Sequence, residues 1–305
     1  MHPLSYTVIG AQSAKNKEVK MATFYNKATL SYGGNVVNSN TTEAELLSGL
    51  SITKNAVTET YSAGSDVVYI VTLTNMGSAS YNALTITDDL GAYTLPGGTS
   101  VTPLTYVTDS LLYYLNGVVQ PTPAISVTEG LAIEGINLPQ NSTATFIYAT
   151  KSNEFAPLSS GSSITNTVST NGGVGIGEIT ATATVTAFES PELTIAKAVC
   201  PAVLNDNDTL TYTIIVQNLG NVPIVATDGV IISDTFNPVL SELVVELNGT
   251  ALAQGTGYTY NSASGEFSVV DGVITVPAAT YTQDSITGTI TTTPGVTVLT
   301  VTGKV

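Results

Sequence analysis

The chain has 305 residues, of which 23 are acidic and 8 are basic, giving a formal net charge of −15. All eight basic residues are lysines, so the chain lacks the positive charge that nucleic-acid phosphates or a polybasic membrane contact require. Threonine, serine, valine and glycine are abundant and tryptophan is absent, and long helical patterns are not found. This composition predicts an all-β protein that is long enough for two domains.

The N-terminal segment, residues 1–22, is predicted to be a flexible tail. In its first 20 residues the lysines follow the weakly apolar run instead of preceding it, which is the wrong order for a secretion signal. This order favours assembly inside a mother cell, as for a spore-associated structure, and a truncated chain would have the same appearance. We expect a protein of the cell or spore surface, outside the cell, with no membrane insertion, since no apolar run approaches about 18 residues.

A β-hairpin is predicted for residues 23–49, with its turn at Gly33-Gly34. Its strands are followed by the short link Ser48-Gly49 and then by LSITKNAV from Leu50. The same order returns later, where SITNTVST, a glycine-rich turn and EITATATVTAF lead into LTIAKAV at Leu193. The first hairpin therefore resembles the end of a domain whose body is absent.

Two tandem immunoglobulin-like β-sandwiches are predicted to follow, with domain 1 at residues 50–188 and domain 2 at residues 189–305. Short alternating strands with regular turn signals are typical of such sandwiches. The two copies share several motifs at nearly constant spacing, which indicates an internal repeat. The paired motifs are Lys54 and Lys197, Asn75-Met-Gly77 and Asn218-Leu-Gly220, ITDDL and ISDTF, LLYYLNG and LVVELNG, and IEGINLP and DGVITVP.

The second copy differs from the first near its end. After Pro277 it carries an insertion, TYTQDSITGTITTTP, and then GVTVLTVTGKV, which corresponds to STATFIYATKS of the first copy. The closing hairpin of the first copy has no counterpart after this segment. Domain 2 is therefore expected to lack its closing hairpin, while a hairpin of that kind stands at the other end of the chain.

The repeat pattern LxITK…Y(S/T)xGxxVxYxVxLTNxGxxxxxxLxITDxL resembles the conserved repeat domain, domain of unknown function eleven, of bacterial and archaeal surface proteins. The motif is read at Leu50–Leu90 and less completely at Leu193–Phe236, where LNDND replaces the usual glycine-containing turn. The whole arrangement is similar to the two-repeat type of Clostridia-like Firmicutes. The resemblance implies an immunoglobulin-like sandwich in a surface setting and supplies no catalytic motif.

These observations predict a structural subunit that polymerises head to tail, its only predicted partner being another copy of itself. The hairpin of one subunit would complete domain 2 of the next, because open sheet edges recruit additional strands. Such a heterologous contact does not close and makes a fibre. The donor residues are predicted to be Phe24, Asn26, Ala28, Leu30 and Val36.

Two other classes of function compete with the filament subunit. A surface adhesin or glycan-binding stalk module is the alternative; Tyr113-Tyr114 could serve it, although alternating tyrosines are more often core or strand-surface residues. An enzyme is not expected: His2 is the only histidine, and no nucleophile, phosphate loop, metal cluster or cofactor motif was found. No cofactor is predicted.

A covalent cross-link is a further hypothesis. Lys54, Lys197, Asn166 and Asn26 share the apolar phase of their strands, and period 2 places that phase toward the core. A buried lysine and asparagine could join as an isopeptide bond, helped by a carboxylate, for which Asp66, Asp208, Asp88 and Asp234 are the candidates. The simpler interpretation is a lysine at a strand end whose amine reaches water.

Two further sites are weak. Asp206 and Asp208 could bind Ca²⁺ through oxygen atoms, although a solvated turn is the favoured interpretation. Cys200 is expected to be a small, buried or half-buried residue, with an inter-subunit disulfide as the alternative.

Overall fold

The structure is a computed structural model, which describes residues 21–47, 49–171, 177–203, 205 and 208–305. The side chains of residues 21–24, 32 and 44–47 lie outside the description. The predicted tail lies almost wholly outside it. In the described residues, every regular element is a β-strand apart from one turn of 3₁₀ helix at Ala226–Asp228, so the all-β prediction is confirmed.

The N-terminal hairpin forms two successive strand pairs around Gly33-Gly34, both of which have positive φ. Asn26 pairs with Thr42 in the first strand pair, and Leu30 pairs with Val37 in the second. The hairpin strands are β1 (Met21–Asn26), β2 (Thr29–Tyr32), β3 (Asn35–Asn38) and β4 (Thr42–Leu47).

Domain 1 consists of two six-stranded sheets that enclose one hydrophobic core, and of a short two-stranded pair, β9–β10. Its strands are β5 (Leu50–Ala56), β6 (Thr60–Tyr61), β7 (Asp66–Asn75), β8 (Tyr81–Asp88), β9 (Tyr93–Thr94), β10 (Ser100–Val101), β11 (Leu104–Tyr106), β12 (Leu112–Leu115), β13 (Val118–Gln120), β14 (Ala124–Ser126), β15 (Leu131–Leu138), β16 (Ser142–Ser152), β17 (Ser163–Asn171) and β18 (Glu178–Ala187). One sheet has the order β13-β12-β16-β7-β5, with β11 also on β16, and the other has β14-β15-β8-β17-β18-β6.

Domain 2 has a second, separate core. Its strands are β19 (Leu193–Cys200), β20 (Thr209–Asn218), β21 (Ser233–Thr235), β22 (Ser241–Leu247), β23 (Thr250–Ala251), β24 (Tyr258–Tyr260), β25 (Glu266–Val269), β26 (Thr280–Gln283), β27 (Ile290–Thr293) and β28 (Gly295–Lys304). A five-stranded sheet, β19-β20-β28-β22-β23, faces a three-stranded sheet, β21-β25-β24.

Alternation of side chains explains how these strands form a core. In β7, Val67, Tyr69, Val71 and Leu73 are all completely buried, while the residues between them are half-buried. The closing hairpin of domain 1 follows the same rule, because Ile164, Asn166 and Val168 are buried on one face of β17. The apolar phase read in the sequence is therefore the core phase of these strands.

The repeated Asn-x-Gly motif has a structural role in both domains. The buried Asn75 donates from Nδ2 to the carbonyls of Ala79, Leu138 and Pro139, and its Oδ1 accepts from the Gly77 amide. Asn218 makes the corresponding bonds in domain 2, to the carbonyls of Val222 and Pro277 and from the Gly220 amide. The motif fastens loops at one end of each sandwich, since buried polar groups need hydrogen bonds.

The N-terminal hairpin and domain 2 lie at opposite ends of domain 1. Gly49 accepts from the Met76 amide, at the end of β7 marked by Asn75. Phe188, which leads to domain 2, donates to the Tyr61 carbonyl near the other end of β7, which begins at Asp66. The ten residues of β7 span about 30 Å. The body of domain 1 therefore separates the hairpin from domain 2 of the same chain.

The insertion of the second copy forms the hairpin β26–β27, which contacts domain 1. The Ile290 amide donates to the Glu154 carbonyl at 3.0 Å, and Gln283 donates to the Tyr93 hydroxyl. Asn221 adds bonds to the carbonyls of Leu158 and Phe188. The insertion thus contributes hydrogen bonds that hold the two domains together.

Candidate assembly and cross-linking site

The core of domain 1 contains a buried ion pair. Lys54 Nζ lies 2.5 Å from Asp88 Oδ2, and the two side chains are 0% and 2% exposed. The Tyr148 hydroxyl donates to the same carboxylate oxygen, and the Leu90 amide donates to Asp88 Oδ1 at 2.9 Å. Lys54 Nζ also lies 4.6 Å from the centre of the Tyr69 ring. The lysine is therefore held in place by a carboxylate and an aromatic face.

Asn166 lies beside this pair on the core face of the closing hairpin. Its strand pairs with β8 so that Val168 is opposite Asp88, which makes Asn166 the diagonal neighbour of Asp88 on the same face. Asn166 is completely buried, and neither its Nδ2 nor its Oδ1 has a hydrogen-bond partner among the described residues. We call Lys54, Asp88, Asn166, Tyr69 and Tyr148 the lysine cluster.

Burial controls the ionisation of the cluster. Desolvation lowers the pKa of Lys54, against the opposing effect of Asp88. Burial raises the pKa of Tyr148 well above its usual value, and the nearby Asp88 charge raises it further. Burial likewise raises the pKa of Tyr69, and the neighbouring Asn166 amide opposes that rise although its hydrogen-bond geometry to the hydroxyl is poor. The environment therefore favours the uncharged forms of Lys54, Tyr69 and Tyr148.

Domain 2 repeats the pair but leaves it open to solvent. Lys197 Nζ contacts Asp234 Oδ2, and the two side chains are 39% and 20% exposed. The lysine lies over the rings of Tyr212 and Phe236, at 4.2 and 5.4 Å from their centres. Tyr148 has no counterpart hydroxyl here, because the residue opposite Tyr212 in the sheet is Val301.

The strand β19 shows the same exposure along its whole length. Leu193, Ile195 and Val199 share a face with Lys197 and are 39%, 64% and 42% exposed. In domain 1 the corresponding strand, β5, packs against the closing hairpin β17–β18. We call the bare face of β19 with the neighbouring edge of β21 the acceptor groove.

The edge of β21 is unpaired on the side of this groove. In domain 1, β8 pairs with β15 on one side and with β17 on the other. In domain 2, the corresponding β21 pairs with β25 and has no second strand partner in the described part of the chain. The missing neighbour has the position that β17 occupies in domain 1.

The N-terminal hairpin exposes an apolar surface, as the acceptor groove does. Leu30, Val36 and Val37 are exposed by 51–64% of their surface, and the described strands β1–β4 form no sheet with either domain. The register pairs Leu30 with Val37 and Ser31 with Val36. Val37, rather than Val36, therefore shares the face of Leu30. The side chain of Phe24 is outside the description, and Ala28 lies between β1 and β2.

The remaining candidate residues lie apart from this site. Asp66 begins β7 opposite Lys151 and is exposed. Asp208 accepts from the Asn205 amide and side chain in a turn, and Asp206 lies outside the described residues. Cys200 is exposed, contrary to the expectation, because it is out of phase with Leu193 and Lys197 and faces away from the core.

Tyr148 was missed as a member of the cluster. Its signal in the sequence was its position in the alternating strand TATFIYAT, and the register places it opposite Tyr69. Of the two tyrosines expected for glycan contact, Tyr113 stacks on Phe146 with ring centres 4.9 Å apart. Tyr113 is therefore part of the packing of domain 1.

The described residues contain neither a cluster for a metal ion nor a helix that could cross a membrane. No group of three or more histidine, cysteine, aspartate or glutamate side chains is arranged to hold a metal ion. Within the same residues, no helix has the length and apolar character needed to cross a membrane.

The chain was compared with known proteins. No family model matches the sequence, and no curated protein matches it. Among solved structures, it is similar to the pilus backbone of Streptococcus pneumoniae, with 10% identity over 80% of this chain and 55% of that one, and a TM-score of 0.33. A fragment of the major pilin of Streptococcus agalactiae is 12% identical over 74% of this chain and 78% of that one, with a TM-score of 0.33.

Other matches have different functions. The collagen-binding subdomain of an Enterococcus faecalis surface protein is 9% identical over 44% of this chain and 95% of that one, with a TM-score of 0.29. A family 123 glycoside hydrolase from Clostridium perfringens is matched over 27% of its length, with 13% identity, 46% of this chain and a TM-score of 0.28. All four TM-scores lie below 0.5, so these likenesses assign neither a fold nor a function to this chain.

Proposed function

We propose that this protein is the structural subunit of a surface filament, in which the N-terminal hairpin of one subunit fills the acceptor groove of the next. The observation that carries the proposal is the contrast between β5 and β19. The first is covered by a closing hairpin, and the second, its repeat, is bare. The setting outside the cell and the relation to the surface repeat family belong to the same proposal.

The arrangement of the two ends supports assembly between chains. The hairpin leaves domain 1 at Gly49, while domain 2 is attached near Tyr61 at the other end of β7. A hairpin joined by a two-residue link would have to fold back over the whole of domain 1 to reach its own groove. Donation to another copy needs no such reversal, and repetition of this heterologous contact gives a fibre.

The physical basis of the contact is strand addition with burial of apolar side chains. The free edge of β21 supplies backbone donors and acceptors, and Leu193, Ile195 and Val199 supply an apolar floor. On the hairpin, Leu30 and Val37 present apolar surface that is exposed in the single chain. Burial of both surfaces stabilises the contact by about 25 cal/mol for each Å² of apolar area removed from water.

A matched pair of substitutions in the full chain tests the proposal. Leu30→Asp places a charge on the face that enters the groove, whereas Ser31→Asp places the same charge on the opposite face. Both positions are exposed in the single chain, so both variants should fold normally. Electron microscopy should show filaments for Ser31→Asp and none for Leu30→Asp. Equal assembly of the two variants would overturn the proposal.

A further inference from the structure

The lysine cluster contains an unusual combination of an ion pair and an unpaired amide. A buried primary amide without hydrogen bonds costs free energy, and so does a buried ion pair. The unpaired Asn166 amide and the Lys54–Asp88 ion pair both destabilise the core of domain 1, although apolar residues of similar size would avoid these costs. Structural packing alone does not account for this choice of side chains.

We propose that Lys54 and Asn166 become joined by an amide bond between Lys54 Nζ and Asn166 Cγ, with Asp88 as the proton carrier. The residues sit on strands of the two opposed sheets, β5 and β17, and Asp88 lies on β8, the neighbour of β17 in the same sheet. The lysine amine is anchored on Asp88, and Asn166 is the diagonal neighbour of Asp88 on the same face. Fixed neighbours react far faster than free ones, because no entropy is lost in bringing them together.

The reaction balances without any added reagent. A proton passes from the Lys54 ammonium to Asp88, which leaves a neutral amine and a carboxylic acid. The Nζ lone pair attacks Cγ while the acid donates a hydrogen bond to Oδ1. The Nζ–Cγ bond forms, the Cγ–Nδ2 bond breaks, and a second proton moves from Nζ to Nδ2 through the carboxyl group. Ammonia leaves, and the product is a secondary amide with no charge in the core.

The Tyr148 hydroxyl positions the proton carrier. It donates to the Asp88 oxygen that also holds Lys54, while the Leu90 amide occupies the other oxygen. The carboxyl group is therefore held with one oxygen toward the reacting pair. The hydrogen bond of Tyr148 goes to Asp88, and Tyr148 acts through that carboxylate.

Intact-mass measurement of the folded full chain decides the proposal. We expect a mass lower than that of the sequence by one ammonia, and a linked peptide pair that contains Lys54 and Asn166. Lys54→Met and Asp88→Asn should each restore the full mass of their sequence. Lys151→Met, at an exposed lysine, is the control and should keep the loss. Succinimide formation at Asn116-Gly117 would also release ammonia, but it would persist in Lys54→Met.

The outcomes separate clearly. A folded wild-type chain of full mass would overturn the cross-link. An ammonia loss of the same size in the wild type and in Lys54→Met would do the same. Loss that disappears in Lys54→Met but persists in Asp88→Asn would keep the bond and remove Asp88 from the reaction.

The pair in domain 2 carries a second inference, which rests on the proposed function. Lys197 and Asp234 repeat Lys54 and Asp88, but no asparagine from domain 2 completes the group in the described chain. On the N-terminal hairpin, Asn26 pairs with Thr42, sixteen residues later, and on the closing hairpin Asn166 pairs with Ala183, seventeen residues later. We infer that Asn26 of an incoming hairpin reaches Lys197 and that the same reaction links successive subunits.

The test uses filaments boiled in detergent and separated by denaturing electrophoresis. Wild-type filaments and the control Lys151→Met should give a ladder of multiples of the chain. Lys197→Met and Asn26→Ala should form filaments by electron microscopy and collapse to single chains on the gel. A ladder in Lys197→Met, or wild-type filaments that give only single chains, would overturn the link but leave the donor hairpin in place. Absence of wild-type filaments would instead reject the proposed function and the link together.

Discussion

Leu50 and Leu193 begin the same strand of the two repeats, yet Leu50 is 3% exposed and Leu193 is 39% exposed. The sequences around them are close copies, so the strand itself does not cause the difference. The cause is the closing hairpin, which packs against β5 and has no counterpart on β19 among the described residues. A hairpin of that kind stands free at the other end of the chain.

Removal of residues 1–47 should abolish filaments. The described hairpin forms no sheet with domain 1, so the truncated chain should keep both sandwiches, with its acceptor groove open. Electron microscopy and sedimentation would show monomers or irregular aggregates. Regular filaments from the truncated chain would contradict donation by the hairpin.

Substitution in the acceptor groove should have the same effect as substitution in the hairpin. Ile195→Asp puts a charge where the hairpin would pack, whereas Thr194→Asp puts it on the opposite face of β19. Both residues are exposed, so thermal unfolding of the single chains should be similar. Light scattering should report assembly for Thr194→Asp alone. If Ile195→Asp assembled as fast as the control, β19 would not be the acceptor.

The contact between subunits should be insensitive to salt and slow to dissociate. It would consist of strand hydrogen bonds and buried apolar side chains, with little contribution from charge pairs that salt can screen. An interface of about 2,000 Å² or more belongs to the range of obligate assemblies. The measurement is sedimentation of diluted Lys197→Met filaments, which lack the inferred link, at low and high salt. Disassembly on modest dilution would contradict the expectation.

Domain 1 should lose stability in strong alkali. Burial raises the pKa values of Tyr61, Tyr69 and Tyr148, so the folded state keeps these phenols protonated. In the unfolded chain they ionise near the ordinary tyrosine pKa of 10.0, so unfolding releases protons and stability falls as pH rises above that value. In a chain without the cross-link, the lowered pKa of Lys54 acts in the opposite direction, but only up to the ordinary lysine pKa of 10.5.

Circular dichroism and tyrosinate absorbance, recorded together up to about pH 12, would check this. Ionisation of the three phenols should accompany unfolding. Tyr61→Phe, which removes one of them, should move the alkaline unfolding to higher pH. Complete tyrosine ionisation in a still-folded domain would show that the phenols are not protected.

Most of the fold and part of the candidate site could be predicted from the sequence. Strict alternation in VVYIVTLTN placed Tyr69 and its neighbours in the core, and the shared phase of Lys54 and Asn166 put both residues inside domain 1. Asp88 was one of four candidate carboxylates, and only the register of β8 against β17 brings it beside Asn166. Pairing between distant strands is a property of the folded chain, and so local patterns did not identify this partner.

Other parts of the site required the structure for different reasons. Alternation could not distinguish Val36 from Val37, because the face presented after a two-residue turn depends on the pairing register. In the sequence Tyr148 cannot be told from other aromatic core residues, and only the structure shows that its hydroxyl donates to Asp88. The exposure of Cys200 followed from its phase in β19, which the sequence already contained.

The positions of β5 and β18 have a mechanical consequence. A pull on the N-terminal hairpin enters domain 1 through Gly49 and β5, and it leaves through β18 and Phe188 toward domain 2. These two strands pack directly against each other, so tension can cross the domain from β5 to β18 over a short path. A bond between Lys54 on β5 and Asn166, whose strand pairs with β18, would covalently link the strand where the force enters domain 1 to the hairpin where it leaves. We therefore expect domain 1 to remain folded under forces that would separate the same strands if only packing held them.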